Sequence, residues 1–263
     1  MARSTNPDDF QGLPQPVAAM RKAFADGATI DWHHHLRDQL VYAASGTMRV
    51  RTPDRAWIVP SDRAVYMPGG TPHALAMHGA VVMCTLYIRA GARPDLPPEP
   101  LVMAASDLLQ ALIMALLEEP VAYAAGSRGE RLSRLALEEI VRADPLGLSI
   151  PMPQDPRLAR ICEALMLAPS DDRPLEAWAD QAGASGRTLA RLFQSQCDLP
   201  FARWRQRVRF HHAIAAIGRG QPIAEVARSV GYRSPSAFAA AFRQEVGVTP
   251  KMLGRAGKHR ASP

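Results

Sequence analysis

Pro222-Ile223-Ala224-Glu225-Val226-Ala227-Arg228-Ser229-Val230-Gly231-Tyr232-Arg233-Ser234-Pro235-Ser236-Ala237-Phe238-Ala239-Ala240-Ala241-Phe242 runs as a short apolar stripe, a glycine, a serine and a second apolar stripe. The same order stands earlier in the chain. Leu175, Trp178, Ala179, Ala182 and Gly183 match Ile223, Val226, Ala227, Val230 and Gly231 at an offset of 48, and Ser185, Leu189, Leu192 and Phe193 match Ser234, Phe238, Ala241 and Phe242 at 49. Apolar residues three and four apart mark one face of a helix. A serine just ahead of such a face can accept a hydrogen bond from the first turn's free N–H groups. Each copy therefore predicts two short helices joined by a tight turn, a helix-turn-helix, and the chain carries it twice. The stretch between them, Phe201 to about Ile217, predicts a connecting helix with Trp204 and Val208 turned inward. On that helix Arg203, Arg205, Arg207 and Arg209 are expected to face solvent or phosphate.

In the first unit the second helix leaves Arg187, Thr188, Arg191, Gln194 and Ser195 opposite its apolar stripe. Arg187 and Arg191, four apart, point the same way. Arginine can bond both guanine O6 and N7 in a major groove, and glutamine both N6 and N7 of adenine. The second unit offers Arg233, Ser234, Ser236, Ala239 and Ala240, a poorer face suited to phosphate, shape and methyl contacts. Charge agrees. Residues 1–154 hold 14 basic and 16 acidic side chains, net −2, while residues 155–263 hold 17 and 9, net +8. A basic half behind a near-neutral half fits a polyanion-binding module with a separate sensor.

With 263 residues, 47% of them hydrophobic and 21% charged, the chain has the composition of a globular protein rather than a disordered or collagen-like one. Its longest apolar stretches, Leu108–Leu117 and Ala80–Ile88, fall well short of the roughly 18 residues a membrane span needs. No membrane role is expected. The first residues lack an apolar signal core, and Cys84, Cys162 and Cys197 form neither a disulfide framework nor a CxxC pair. A reducing cytoplasm is the expected location.

The first half predicts strands. Thr29–Trp32, Gln39–Ala43, Gly46–Thr52, Ala56–Val59, Ala64–Met67 and Val81–Arg89 are separated by proline- and glycine-bearing turns, the rhythm of a sandwich or barrel. Met48 and Val50 alternate inward against Arg49 and Arg51 outward. Two helical patterns follow, one with Leu108, Leu109, Leu112, Ile113, Leu116 and Leu117 behind Ser106, the other with Leu132, Leu135 and Ile140. The first is too apolar for a solvated helix and must pack on the barrel, on a partner chain or on both, which motivates a homodimer through residues 106–142. Prolines 145, 151, 153 and 156 predict a stiff linker. The fold class is thus two-domain α+β. A β-barrel with two helices spans 1–143, a Pro-rich linker 144–156, and an all-α double helix-turn-helix 157–263.

From about 155 to 253 the sequence resembles the AraC/XylS family of bacterial transcription regulators. The resemblance rests on Ser185 with Leu189-x-Arg191-x-Phe193, Pro222-Ile223-x-Glu225-Val226-Ala227, Gly231-Tyr232-x-Ser234-x-Ser236-x-Phe238 with Phe242, and Gly247-x-Thr249-Pro250. Asp198 departs from the pattern, standing where the family more often has the glycine that closes the first unit. The likeness implies binding to double-stranded promoter DNA, with RNA polymerase as a further partner and a small molecule as effector. The run Gln39–Gly46 and the run Arg233–Phe238 are similar to a branch that includes regulators of drug-efflux genes, so efflux or metabolic genes are the implied targets.

His33-His34-His35-Leu36-Arg37-Asp38-Gln39, then Gly46, then Pro68-Gly69-Gly70-Thr71-Pro72-His73, looks like the two cupin motifs. In metal cupins the corresponding positions supply two histidines, a glutamate and a histidine; here they are His33, His35, Gln39 and His73. Asp62 and Met77 depart from the second motif. Two readings stay open. The cluster holds zinc, nickel or iron, or it is a vestigial set of hydrogen-bonded histidines in a sensor that uses no metal. Neither makes a cofactor necessary for DNA binding. Tyr42, Met48, Val50, Met67 and Met83 are candidates for an effector pocket, although methionines at strand spacing are more often plain core. A cupin metalloenzyme with an appended helical domain is the alternative. Gln39 in the carboxylate position weighs against it, and no catalytic residue is assigned.

Overall fold

A computed structural model describes residues 4–253, apart from Asp62, 147–148, Arg219 and Gly247. Expectations resting on Asp62, Gly247 and the first three residues lie outside the described residues. The chain divides into two compact units, residues 1–52 with 59–147 and residues 53–58 with 148–263.

The first unit is strand-rich. Its strands are β1 (Val17–Phe24), β2 (Thr29–His33), β3 (Asp38–Arg51), the end of β4 (Arg55–Pro60), β5 (Arg63–Met67), β6 (His73–Ile88), β7 (Leu101–Ala104) and β8 (Pro145–Leu146). The hydrogen-bonded order runs β1-β6-β3-β5-β7-β8, with β2 also on β6. β6 begins at His73, well before the expected Val81, and runs through Gly79. The expected strands Gln39–Ala43 and Gly46–Thr52 fuse into β3, which continues through Gly46 with shifts of register between Ala43 and Thr47. Gly46 is required there, since it sits at φ +78° and a Cβ on it would lie 2.6 Å from the Ala80 carbonyl oxygen.

Alternation sorts the faces of the sheet. Leu40, Tyr42, Tyr66, Cys84, Leu86 and Ile88 bury one face against α1 (Asp107–Glu118) and α2 (Arg128–Arg142). The opposite, inner face carries Gln39, Val41, Met67, Thr85 and Tyr87, which pair across the strands. Ser106 caps α1 by accepting from Leu109 N at 3.0 Å, as its place before the apolar run predicts. The buried stripe Leu109, Leu112, Ile113, Leu116 and Leu117 is covered by the chain's own sheet and α2. The stripe therefore gives no reason for a partner, which corrects the basis for a dimer.

The second unit holds residues 53–58 antiparallel to β9 (Ile150–Pro151), with Arg55 opposite Pro151 and Ala56 opposite Ile150. Two short parts of the stretch read as a stiff linker are thus paired. Pro145 and Leu146 run along β7 within the first unit, and Ile150 and Pro151 along 53–58 within the second. The helices are α3 (Pro156–Leu167), α4 (Leu175–Ala182), α5 (Gly186–Cys197), α6 (Phe201–Gly218), α7 (Ile223–Ser229) and α8 (Pro235–Val246). Both helix-turn-helix units are present, α4–α5 and α7–α8. Trp204 and Val208 of α6 enter the first core beside Trp178, Leu189 and Phe193. Phe210, Ala213, Ile214 and Ile217 enter the second beside Val226, Phe238 and Phe242. One rigid helix thus belongs to both cores.

Asp198 ends α5 in the left-handed region at φ 52°, where a Cβ meets the carbonyl oxygen. Asp198→Val is expected to destabilise by about 1–2 kcal/mol, with Asp198→Gly no worse than the parent. Denaturant midpoints of the two variants check this.

Candidate nucleic-acid interface and histidine cluster

On α5, Arg187, Ala190, Arg191, Gln194 and Ser195 are exposed, while Leu189, Phe193 and Cys197 are buried. Thr188 is half-buried, and its hydroxyl sits 3.0 Å from that of Ser185, which caps the helix through Thr188 N. On the second unit Arg233, Ser236 and Ala240 are exposed. Ser234 acts as the cap, accepting from Ala237 N at 3.4 Å, and its hydroxyl lies 2.6 Å from that of Ser236. Arg243 and Gln244 are exposed as well and extend the Ser236–Ala240 face by the helical repeat. Sequence reasoning missed them because it stopped at the apolar Phe242, although their spacing of seven and eight from Ser236 was in view.

On α6 Arg203 is exposed as expected, while Arg205, Arg207 and Arg209 are half-buried. Arg205 donates to the Arg173 carbonyl at 2.7 Å and lies over the Phe201 ring at 5.0 Å. Arg209 donates to the carbonyls of Pro169 and Asp171 at 2.8 and 3.1 Å. Arg203 and Arg207 both reach Glu245 of α8, at 3.0 and 3.6 Å. These side chains brace the helical unit. Arg205 in particular is a brace where a phosphate contact was expected, its guanidinium held on the Arg173 carbonyl and over the Phe201 ring.

In the first unit, strand alternation and the β2–β6 pairing place His33 opposite His73. The rings of His33 and His73 lie 4.3 Å apart, His33 and His35 4.9 Å, and His35 and His73 5.6 Å. One ring nitrogen from each comes within 4.8 Å of the others. His34 points outward, as its place between them predicts. His33 Nδ1 is 2.7 Å from the Asp31 carbonyl and His73 Nδ1 2.9 Å from that of Thr71. A ring nitrogen facing a carbonyl must carry the proton, so Nε2 of each bears the lone pair. His73 Nε2 is buried and has no partner among the described residues. Gln39 is buried too. Its amide bonds the Tyr87 hydroxyl, its Oε1 has no partner among the described residues, and Tyr87 sets its ring edge-on to His35 at 5.2 Å.

Burial, then the neighbouring His33, His73 and His34, push His35 down to about 4. Burial likewise pushes His73 down to about 4, against the Thr71 hydrogen bond that raises it. Both rings are therefore neutral near pH 7. In the unfolded chain each takes up a proton near pH 6.5, and in the fold only near 4. The unfolded state binds more protons between those values, so stability is full above about pH 6.5 and falls as pH drops toward 4. Thermal melts of metal-free protein at pH 7 and pH 5 should show the decline, and His35→Asn should reduce it.

Around the cluster, the loop that carries His35 is tied down. Gly70 N donates to the His35 carbonyl at 2.7 Å, and Leu36 N and Arg37 N donate to Gln11 Oε1 at 3.1 and 3.2 Å. The buried Arg37 guanidinium bonds the carbonyls of Gln11, Leu13, Gln15 and Tyr87. Trp32, 50% exposed, and Leu36, 76% exposed, flank the histidines in sequence. Of the effector candidates, Met48, Val50, Met67 and Met83 are buried, with Met67 on the inner face opposite Gln39. Tyr42 is buried as well, but alternation turns it to the outer face, where its hydroxyl donates to Gln110 Oε1 of α1 at 2.9 Å.

Residues 178–256 match the family model described as a helix-turn-helix domain, and residues 20–88 match that of a cupin domain. The HTH-type transcriptional regulator NimR of Escherichia coli K12 is 28% identical over 89% of this chain and 85% of its own. The HTH-type transcriptional regulator RipA of Corynebacterium glutamicum is 32% identical over 38% of this chain and 30% of its own. Among solved structures, ToxT from Vibrio cholerae aligns over 91% of this chain and 98% of its own, at 11% identity and a TM-score of 0.37.

Proposed function

We propose that this chain, which pairs a cupin domain with an AraC-type helix-turn-helix domain and so belongs with the AraC/XylS-type regulators, is a sequence-specific regulator of transcription whose cupin domain senses a small molecule. The observation that carries the reading is the pair of exposed helices α5 and α8 fixed to one α6 in the basic half of the chain. Two such helices enter successive major grooves about 10 bp apart. Arg187, Arg191, Gln194 and Thr188 would read bases or the adjoining backbone, and Arg233, Ser234 and Ser236 would supply the weaker contacts. Selecting bound sequences from a random DNA pool with the full chain tests it. Enrichment of a site with two half-contacts one turn apart is the expected result, and recovery of unenriched DNA at physiological salt rejects it.

The cupin site fits a divalent transition ion such as zinc, nickel or iron. His33, His35, His73 and Gln39 present lone pairs, and carbonyl bonds orient two of the rings as metal-bound histidines are oriented. When bound, the ion supplies a Lewis-acidic point inside the sensor. Binding DNA needs no cofactor in this reading. We read the protein as a non-enzyme, because Gln39 stands where a carboxylate would complete the 2-His–carboxylate set of metal oxygenases. Among the described residues no helix is long and apolar enough to cross a membrane. The proposed place of action is the cytoplasm, with promoter DNA, RNA polymerase and a second copy of the chain as partners.

A further inference from the structure

We infer that the first helix-turn-helix unit carries a ligand site of its own, a pocket between α3 and α4 that takes the phosphate group of a small phosphate monoester. The pocket lies wholly within the helical unit and is independent of the histidine cluster.

The pocket follows from spacing on two helices. On α3, Arg157, Arg160, Ile161 and Ala164 stand at i, i+3, i+4 and i+7, one stripe of the helix. On α4, Trp178, Gln181 and Ala182 stand at i, i+3 and i+4. The two stripes together line a pocket of about 250 Å³. Ala164 and Ala182 contribute only methyl groups, so the facing helices do not close over it.

Its donors lack acceptors. Trp178 is 4% exposed, and its indole Nε1, which only donates, has no partner among the described residues. A buried indole N–H ordinarily finds an acceptor. The ring is held in place, with the Arg173 guanidinium over it at 3.8 Å from the centroid. Arg157 is fixed by Asp155, to which it donates from Nε at 3.0 Å and from a terminal nitrogen at 2.7 Å. The same carboxylate caps α3 by accepting from Arg157 N at 2.9 Å, so Asp155 is already engaged. Arg160 and Gln181 are exposed, and no ion pair engages Arg160 among the described residues. One guanidinium charge is thus balanced and the other is not, and no carboxylate lines the pocket among the described residues.

An indole N–H, two guanidiniums and a carboxamide on two helices call for an anion with oxygens in several directions. A phosphoryl group of a monoester offers three, and arginine binds it through paired N–H bonds. A carboxylate offers two, in one plane. The backbone phosphate of DNA is a diester flanked by sugars on both sides and stays at the surface of the duplex. A free monoester can follow its phosphoryl group down to a buried indole.

The test uses untagged full-length protein with isotope-labelled tryptophan in phosphate-free buffer, read by the indole N–H signals in NMR. The chain has 4 tryptophans, and Trp178→Phe assigns the signal of interest. Phenyl phosphate and inorganic phosphate are expected to move the Trp178 signal saturably and leave the other indoles in place, while benzoate leaves all of them in place. Arg160→Gln changes an exposed side chain and should weaken phenyl phosphate about 10-fold at an unchanged melting temperature, the loss of one charged hydrogen bond. Trp178→Phe keeps a ring beneath Arg173 and should weaken phenyl phosphate by a similar factor in calorimetry. A Trp178 signal that neither phosphate moves overturns the proposal, and so does one that benzoate moves equally. Phenyl phosphate affinity unchanged by Arg160→Gln removes the ligand from this pocket. Movement of the Trp178 signal by a duplex without terminal phosphates, with displacement of phenyl phosphate, makes the DNA backbone the occupant and overturns the monoester.

Discussion

Arg191→Ala weakens binding to the selected DNA site by about 1–3 kcal/mol, or about 5- to 150-fold, and Arg187→Ala by a comparable amount. Both guanidiniums are exposed on one face of α5, four residues apart, and no ion pair engages either among the described residues. A bidentate contact to guanine lost in this way also relaxes preference at the base it read. The salt dependence separates base reading from phosphate contact. A lost phosphate contact lowers the slope of log affinity against log salt by about 0.9, whereas a lost base contact leaves it nearly unchanged. Fluorescence anisotropy with the selected and a scrambled duplex, at several salt concentrations, measures both quantities. Ser236→Ala in the second unit should have the smaller effect, because that hydroxyl already faces Ser234. The assignment of α5 as the main reader is wrong if Ser236→Ala costs more than Arg191→Ala. Arg205→Ala is no test of phosphate binding, since it removes the bond to the Arg173 carbonyl and lowers stability first.

The features that repeat or have fixed spacing were legible in the sequence. The 48- and 49-residue offsets gave both helix-turn-helix units, because a buried helix face demands apolar residues at helical spacing whatever surrounds it. The grouping of His33, His35 and His73 was legible in the two motifs, but not its cause: β2 ends at His33, and His35 reaches the cluster from the loop beyond it rather than by strand alternation. What sequence could not show depends on partners far along the chain. Arg205 and Arg209 look like free cations until the loop of residues 169–173 is seen to offer its carbonyls. Tyr42 has the composition of a pocket residue, and only its parity relative to Gln39 on β3 turns it to α1. β1 was missed because Val17-Ala18-Ala19-Met20 is buried on both faces and shows no alternation to mark it. The pairing of residues 53–58 with β9 joins positions nearly a hundred residues apart, and nothing local announces it.

Leu112→Glu abolishes the folded state of the strand-rich unit rather than dividing a dimer. Leu112 is 4% exposed and lies among Leu109, Ile113, Leu116 and Leu137, with the sheet beneath. An ionised carboxylate there has no partner, and an unpaired buried charge costs several kcal/mol. Added to the lost leucine packing of about 2–5 kcal/mol, this consumes most of a domain's stability of about 5–15 kcal/mol. Circular dichroism should show lost β signal and an absent thermal transition for that unit. The surface left for a second copy on these helices is different. Leu108 on α1 and Leu135 on α2 are 47% and 38% exposed, and neither substitution buries a charge in the monomer. If the proposed homodimer uses this face, Leu108→Glu/Leu135→Glu sediments as a monomer at concentrations where the parent is a dimer, and its melting curve matches the parent's. A double variant that remains dimeric excludes this face. A parent that is monomeric at tens of micromolar removes the dimer altogether, leaving DNA affinity to α5 and α8 of a single chain.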